Sequence, residues 1–256
     1  MCKIFWISRS WIYYKRKQII KDIQRKTQVN LVNILNPYYW HRRIALDLKI
    51  NRKTASRIMN MFEIYAKTRK RKFVKSWDKN LPHMWVENKK KEFEITKINQ
   101  VWSQDFTHLY HKWIEFYLAT VIDEFNKEVI WYSIWLHHEK SLILEALNMA
   151  VRKRKATPEY AHSDQWSEYR SYEYFSVLER YKISASMSKK SSPWENWTQE
   201  SFYWKFKFEL WNLNRFETID EAFEAVILQI YYYNNFRIHT KLKMSPVEFT
   251  NLQTKS

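Results

Sequence analysis

A mixed α/β sheet preceded by a small all-helical module is the fold class this sequence predicts, and three observations predict it. Residues 101–136 hold three consecutive segments rich in β-branched and aromatic side chains. Beyond them helical and extended patterns alternate up to residue 234, whereas residues 1–61 show helical patterning. Charge divides the chain at the same place: residues 1–100 carry 25 Lys/Arg against 7 Asp/Glu, and residues 101–256 carry 19 against 20. A length of 256 residues with 45% apolar content suits one good-sized core plus a small accessory module. There is no run of 18 apolar residues, and MCKIFWIS is too short for the apolar region of a signal peptide, so neither a membrane span nor secretion is expected. One cysteine, Cys2, excludes an internal disulfide and a cysteine-based zinc site.

The elements follow in order. Residues 1–35 read as a basic helical segment. In residues 36–75, HRRIALDL (41–48) places Ile44, Leu46 and Leu48 on a first short helix, Lys49–Asn51 is a break, and Ala55, Ile58 and Met59 return at helical spacing. Asn51 is the expected N-cap of the second helix. Two short helices about a tight turn fit a helix-turn-helix, with Arg52, Lys53, Ser56 and Arg57 on the polar face of the helix that would enter the major groove. Residues 76–98 are polar and charged and read as a basic linker. Clustered cations such as KTRKRKFVK (67–75) and ENKKKEF (87–93) are the footprint of phosphate binding, which extends the expected contacts to Lys89, Lys90 and Lys91.

From residue 99 onward the pattern changes. Segments 101–111, 113–125 and 127–136 read as three strands joined by short turns, 141–155 as a helix, and 159–163 as a short strand. Residues 172–181 read as a helix, 183–187 as a fifth strand, 195–210 as a helix and 219–234 as a C-terminal helix. Five strands with helices between the later ones make a mixed sheet over 99–256.

Three carboxylates stand out along these elements. Asp105 lies on a predicted strand, Asp164 at the end of another and Glu200 on a helix, with 58 and 35 residues between them. Carboxylates from three elements repel one another and raise each other's pKa unless a cation lies between them. Magnesium takes oxygen ligands and keeps several waters, so one or two carboxylates for each of two ions make a working site. Two such ions activate a water or 3′-hydroxyl and stabilise the leaving oxygen in phosphodiester chemistry. Asn196 and Lys207 lie one turn before and two turns after Glu200, on a shared helix face predicted to meet DNA. His108, His162 and His239 have no partner at zinc-ligand spacing, and His137–His138 reads as structural.

The chain has no glycine and 14 tryptophans, although a usual content of about 7% would give roughly 18 glycines. Trp40, Trp77, Trp166 and Trp211 fall where a turn or a helix end calls for glycine. Twelve tryptophans are therefore read as glycine, encoded by UGA in the source: Trp6, Trp11, Trp40, Trp77, Trp85, Trp113, Trp131, Trp135, Trp166, Trp197, Trp204 and Trp211. Trp102 and Trp194 are read as tryptophan.

Taken together, YYWHRRIALDL (38–48), VWSQDFTHL (101–109), HSDQWSEYRS (162–171), SPWENWTQESFYWKFKFEL (192–210) and YYNNFRIHTKLKMSPVEF (232–249) resemble the insertion-sequence-three family of transposases, second-frame or OrfB type. The resemblance covers nearly the whole chain and departs from the family's pattern mostly as tryptophan for glycine, at Trp40, Trp166 and Trp204. It implies a ribonuclease H-like integrase core with Asp105, Asp164 and Glu200 as catalytic triad and metal ligands for two Mg2+ or Mn2+ ions. It also implies DNA contacts from Arg42, Arg43, Arg52, Lys53, Ser56, Arg57, Asn196 and Lys207. The partners it implies are the element's terminal inverted repeats and target DNA, further copies of the chain, and an upstream-frame (OrfA-type) helix-turn-helix protein. The expected compartment is the cytoplasm, at the nucleoid when bound to DNA. A retroviral-type integrase shares the core, but its zinc module needs two cysteines. A DNA-binding protein with an inactive core is the alternative from another class.

Overall fold

The structure, a computed structural model, describes residues 9–68, 86–137, 140–189 and 192–254. These fall into two compact units, one within Met1–Lys72 and Ile238–Met244, the other within Phe73–Arg237 and Ser245–Ser256. Trp6, Trp77, Trp85, His138, residues 69–75 of the basic run and residues 76–85 of the expected linker lie outside the described residues, as does the side chain of Trp11.

The helical unit has three helices, α1 (Arg9–Leu35), α2 (His41–Asp47) and α3 (Arg52–Met61). The break between α2 and α3 forms because Lys49 is left-handed (φ 51) and the N–H groups of Lys49 and Ile50 return to the last carbonyls of α2. Asn51 caps α3 as expected, its side chain accepting from the Lys53 N–H at 2.8 Å. Val29 and Val32 of α1, Tyr39, Ile44, Ala55, Ile58 and Met59 form the core of this unit, with Ile238 packed against it.

The larger unit is a five-stranded sheet of order β3-β2-β1-β4-β5, from β1 (Val101–His111), β2 (Ile114–Asp123), β3 (Val129–Trp135), β4 (Tyr160–Ser163) and β5 (Ser184–Met187). The first three run antiparallel, and β4 and β5 run parallel to β1. Helices α4 (Lys140–Arg154) and α5 (Tyr172–Arg180) cover one face, where Leu142, Ala146, Leu147, Tyr174 and Leu178 pack with Trp102, Val121 and Ile130. Helices α6 (Trp197–Leu210) and α7 (Ile219–Asn235) cover the other, through Phe202, Tyr203, Phe206, Val226 and Ile230 against Leu118 and Ile122. With both faces covered, the central strand β1 is buried along most of its length. Ser171 and Thr218 cap α5 and α7, and Ser245 caps a last helix, α8 (Pro246–Gln253), which periodicity alone did not predict.

Three expectations change. Residues 86–98, read as linker, are built into the catalytic unit: the Met187 N–H donates to the Glu87 carbonyl at the edge of β5, and the Phe93 ring packs at a tilt against Tyr160. The helix expected over 195–210 begins only at Trp197, after a 3-10 turn over Pro193–Asn196. Among the described residues Trp211 is the one tryptophan with positive φ; the left-handed positions are otherwise six lysines, Glu63 and Asn99. Trp40 is extended (φ −79, ψ 167), so backbone geometry does not call for glycine there, nor does it at Trp166. Trp211, at φ 66 and ψ −150, occupies a region essentially reserved for glycine.

Candidate active site

Asp105 sits on β1 directly across from Thr120 of β2, and Asp164 follows the last residue of β4. Because β4 pairs parallel with β1, both carboxylates emerge at the middle of the sheet, and Glu200, in the first turn of α6, lies close enough for its charge to act on both. One oxygen of Asp105 accepts from the Phe106 N–H at 2.8 Å, and one of Asp164 accepts from the Trp166 N–H at 3.3 Å.

These groups feel one another. Burial raises the Asp105 carboxyl well above the ordinary range, the charges of Asp164 and then Glu200 raise it further, and Lys207 opposes them. Burial likewise pushes Asp164 to about 7, with Glu168 and Glu200 adding to the rise. Glu200 is exposed and raised by partial desolvation. Among the described residues no three Asp, Glu, His or Cys side chains are already gathered at metal-holding distances. The triad is an electrostatically coupled, open arrangement and not a closed cage.

What fixes α6 against the sheet is a buried polar network. Gln199 donates to the Ser103 carbonyl (2.7 Å) and the Thr120 carbonyl (3.3 Å), and accepts from the Thr120 hydroxyl (2.9 Å). The Tyr203 hydroxyl donates to the Asp105 carbonyl at 2.7 Å and lies 2.8 Å from the Thr120 hydroxyl. Gln199 and Tyr203 therefore bracket Glu200 on the helix and hold β1 at Ser103 and at Asp105 itself. Sequence reasoning missed both, although Gln199, Tyr203, Phe206 and Leu210 form one helical stripe in which a glutamine and a phenol need internal partners.

A second polar cluster holds the turn before α6. The buried Glu195 carboxylate accepts from Asn88 (2.7 Å), from the Lys189 N–H (2.8 Å) and from Lys91, while Lys90 pairs with Glu124. Burial alone would push Glu195 up, but Lys91, the Lys189 N–H and Asn88 hold it at about 2. His162 is enclosed between the Ser186 hydroxyl (3.0 Å) and the Glu195 carbonyl (3.2 Å), and burial with the Lys90 charge lowers it to about 4. It is structural. Two of the three lysines expected on phosphate, Lys90 and Lys91, are thus ion-paired within the fold.

The expected DNA-contact residues divide. Arg42, Arg52 and Lys53 are exposed, and Arg43 and Ser56 are half-buried, Arg43 lying 5.4 Å over the Tyr39 ring. Arg57 is gripped by both oxygens of the buried Asp22 (2.6 and 2.9 Å), so it ties α3 to α1 rather than presenting a free fork to bases. Asn196 is buried before α6 starts and does not share the exposed face of Glu200. Lys207 is half-buried on the same helix as Glu200, close enough for its charge to act on Asp105.

An integrase core domain model matches residues 96–193, and a second integrase core model matches residues 200–253. Among curated relatives, InsK for insertion sequence element IS150 of Escherichia coli is 30% identical over 257 residues, covering 96% of this chain and 90% of the relative. The transposase InsF for insertion sequence IS3A of Escherichia coli is 31% identical over 62% of this chain and 57% of its own length. Among solved structures, a chain of the simian T-cell lymphotropic virus intasome, solved in complex with a phosphatase regulatory subunit, superimposes with a TM-score of 0.54 at 16% identity, over 86% of this chain and 73% of that one. That likeness shows a ribonuclease H-like integrase fold.

Proposed function

The chain belongs to the insertion-sequence-three family of OrfB-type transposases, and from that premise we propose how its residues divide the work. As a transposase it is a polynucleotidyl transferase. Asp105, Asp164 and Glu200 hold two divalent ions, magnesium or manganese. The observation that supports this is that burial, the charge of Asp164 and the charge of Glu200 raise Asp105, and burial with the charges of Glu168 and Glu200 raises Asp164, although the Phe106 and Trp166 N–H groups and, at Asp105, Lys207 oppose the rise. An oxygen-only, open donor set suits magnesium, which takes one or two carboxylates and keeps its waters. When bound, such ions supply an activated water or 3′-hydroxyl and stabilise the leaving oxygen. The chain's own groups do the rest: Gln199 and Tyr203 keep Glu200 in register with Asp105, and Lys207 offers its ammonium to a phosphate at the DNA end.

The helical unit holds the DNA. Arg42, Arg43, Arg52, Lys53 and Ser56 contact the element's terminal inverted repeats, with α3 in the major groove and Arg57 acting through its hold on α1. Several copies act together on paired ends and target DNA, with an OrfA-type protein as a further partner, in the cytoplasm at the nucleoid. Among the described residues no helix is long and apolar enough to cross a membrane.

Oligonucleotide cleavage and strand transfer test the triad. Asp105→Asn, Asp164→Asn and Glu200→Gln should each lose about a thousand-fold or more while binding duplex DNA like the parent, and double variants should be no worse than singles because the carboxylates act as a unit. Strand transfer retained in any single variant would overturn the assignment. A parent chain that binds element ends but never joins them, with either metal, would instead favour an inactive DNA-binding remnant.

A further inference from the structure

The segment Ile238–Met244, which the sequence places between two helices of the catalytic unit, completes the helical unit instead. Its entry is fixed by the Ile238 N–H, which donates to the Tyr39 hydroxyl at 2.9 Å, and by the Ile238 side chain, packed against the helical core. The segment then doubles back. The His239 N–H donates to the Met244 carbonyl (2.9 Å), the Lys243 N–H donates to the His239 carbonyl (2.8 Å), and Lys243 is left-handed at φ 65. Leu242 is buried in this tight hairpin, and Thr240, Lys241 and Lys243 are exposed.

The place where it docks is cationic. Tyr39, which receives Ile238, also carries the Arg43 guanidinium over its ring and lies two residues before His41 at the start of α2. Burial lowers the His41 pKa, and the charges of Arg52, the first residue of α3, and Arg42 lower it further. The hairpin adds two more exposed lysines and no acidic residue to that unit, three and five residues after Ile238. Gathering like charges on one module is unfavourable unless a polyanion neutralises them. The N-terminal residues of a recognition helix are also the ones that reach the groove, with backbone contacts flanking them.

We propose that the Ile238–Met244 hairpin is a phosphate-binding element of the DNA-binding unit, in which Thr240, Lys241 and Lys243 grip the duplex backbone beside the N-terminal end of α3. It rests on the reading of the helical unit as DNA-binding. Its contacts are sequence-independent, so they set position and not base preference.

The full chain tests it with a duplex oligonucleotide of arbitrary sequence, by measuring affinity against salt. Each lost phosphate contact lowers the log–log salt slope by about 0.9, so Lys241→Gln with Lys243→Gln should reduce it by roughly 1.8 and weaken binding several-fold at moderate salt. The thermal melt should not move, because both side chains are exposed. Lys155→Gln with Lys182→Gln, two exposed lysines of the catalytic unit, should leave slope and affinity unchanged. If Arg52→Gln with Lys53→Gln flattens the slope and the hairpin pair does not, the hairpin proposal is wrong and the helical reading stands. If neither pair changes it, the helical unit does not bind DNA and the two fall together.

Discussion

Glu195 and Glu200 are five residues apart in one stretch of chain, yet they belong to opposite electrostatic regimes. Glu195 is buried and fully partnered, by Lys91, Asn88 and a backbone N–H, and its pKa falls to about 2. Glu200 joins Asp105 and Asp164, whose pKa values rise, Asp164 to about 7, because burial and like charges outweigh the Phe106 and Trp166 N–H groups and, at Asp105, Lys207. The same pattern of internal pairing recurs where Arg237 meets Glu209 and Arg154 meets Glu128. The fold neutralises the carboxylates it uses as struts. At Asp105 and Asp164 burial and like charge outweigh the partners present, a condition that favours a bound cation.

That contrast gives pH slopes of opposite sign. Glu195 has a depressed pKa, so its stabilisation is complete above about 4.5 and is lost as pH falls toward 2. Glu195→Gln should therefore destabilise the chain at pH 7, by about 1–3 kcal/mol since Lys91 is partly exposed, and the difference should shrink toward pH 2. Asp164 has a raised pKa, so its contribution is complete below about 3.8 and is lost as pH rises through about 7. In chelator, Asp164→Asn should melt above the parent at pH 8, and the advantage should vanish toward pH 4. The gain is a few kcal/mol at most, because each pH unit between those two values is worth about 1.4 kcal/mol. Parallel slopes for the two variants would break the distinction.

The smallest expected effect concerns the backbone just past the same helix. We infer that Trp211 stands at a glycine position, because φ 66 with ψ −150 costs a residue bearing a Cβ roughly 1–3 kcal/mol. Trp211→Gly should raise the melting free energy by about that amount, whereas Trp102→Gly, which empties a fully buried site, should lower it by more than about 3 kcal/mol. The wider reading of twelve UGA codons as glycine is sharpened by peptide mass from the source. Indole found at Trp211 would end it.

Much of this molecule was legible in its sequence, for identifiable reasons. The five strands, α3 with its Asn51 cap, and the triad's placement on two strands and a helix follow from periodicity, turn chemistry and spacing, all of which are local. The errors lie where distant chain segments meet. Arg57 looked like a groove contact because Asp22, 35 residues away, is invisible to a helical-face pattern. Asn196 looked helical because periodicity does not mark where a 3-10 turn becomes an α-helix. Lys90 and Lys91 looked like phosphate contacts because Glu124 and Glu195, which pair with them, lie far along the chain. Ile238–Met244 looked like part of the 99–256 core because nothing in IHTKLKM names Tyr39 as its partner.

The triad's role as a metal centre is tested most directly by a manganese-binding titration, followed by the loss of the free-ion electron paramagnetic resonance signal, on the parent and on Asp164→Asn from about pH 5.5 to 8.5. Protons must leave Asp105 and Asp164 before the ion can enter, so the parent's affinity should strengthen as pH rises through about 7 and then level off. Asp164→Asn should bind at least about ten-fold more weakly at pH 8 and show a shallower pH dependence. Equal binding by parent and variant across the range would mean that the ion sits elsewhere, and the triad would lose its role as the metal centre.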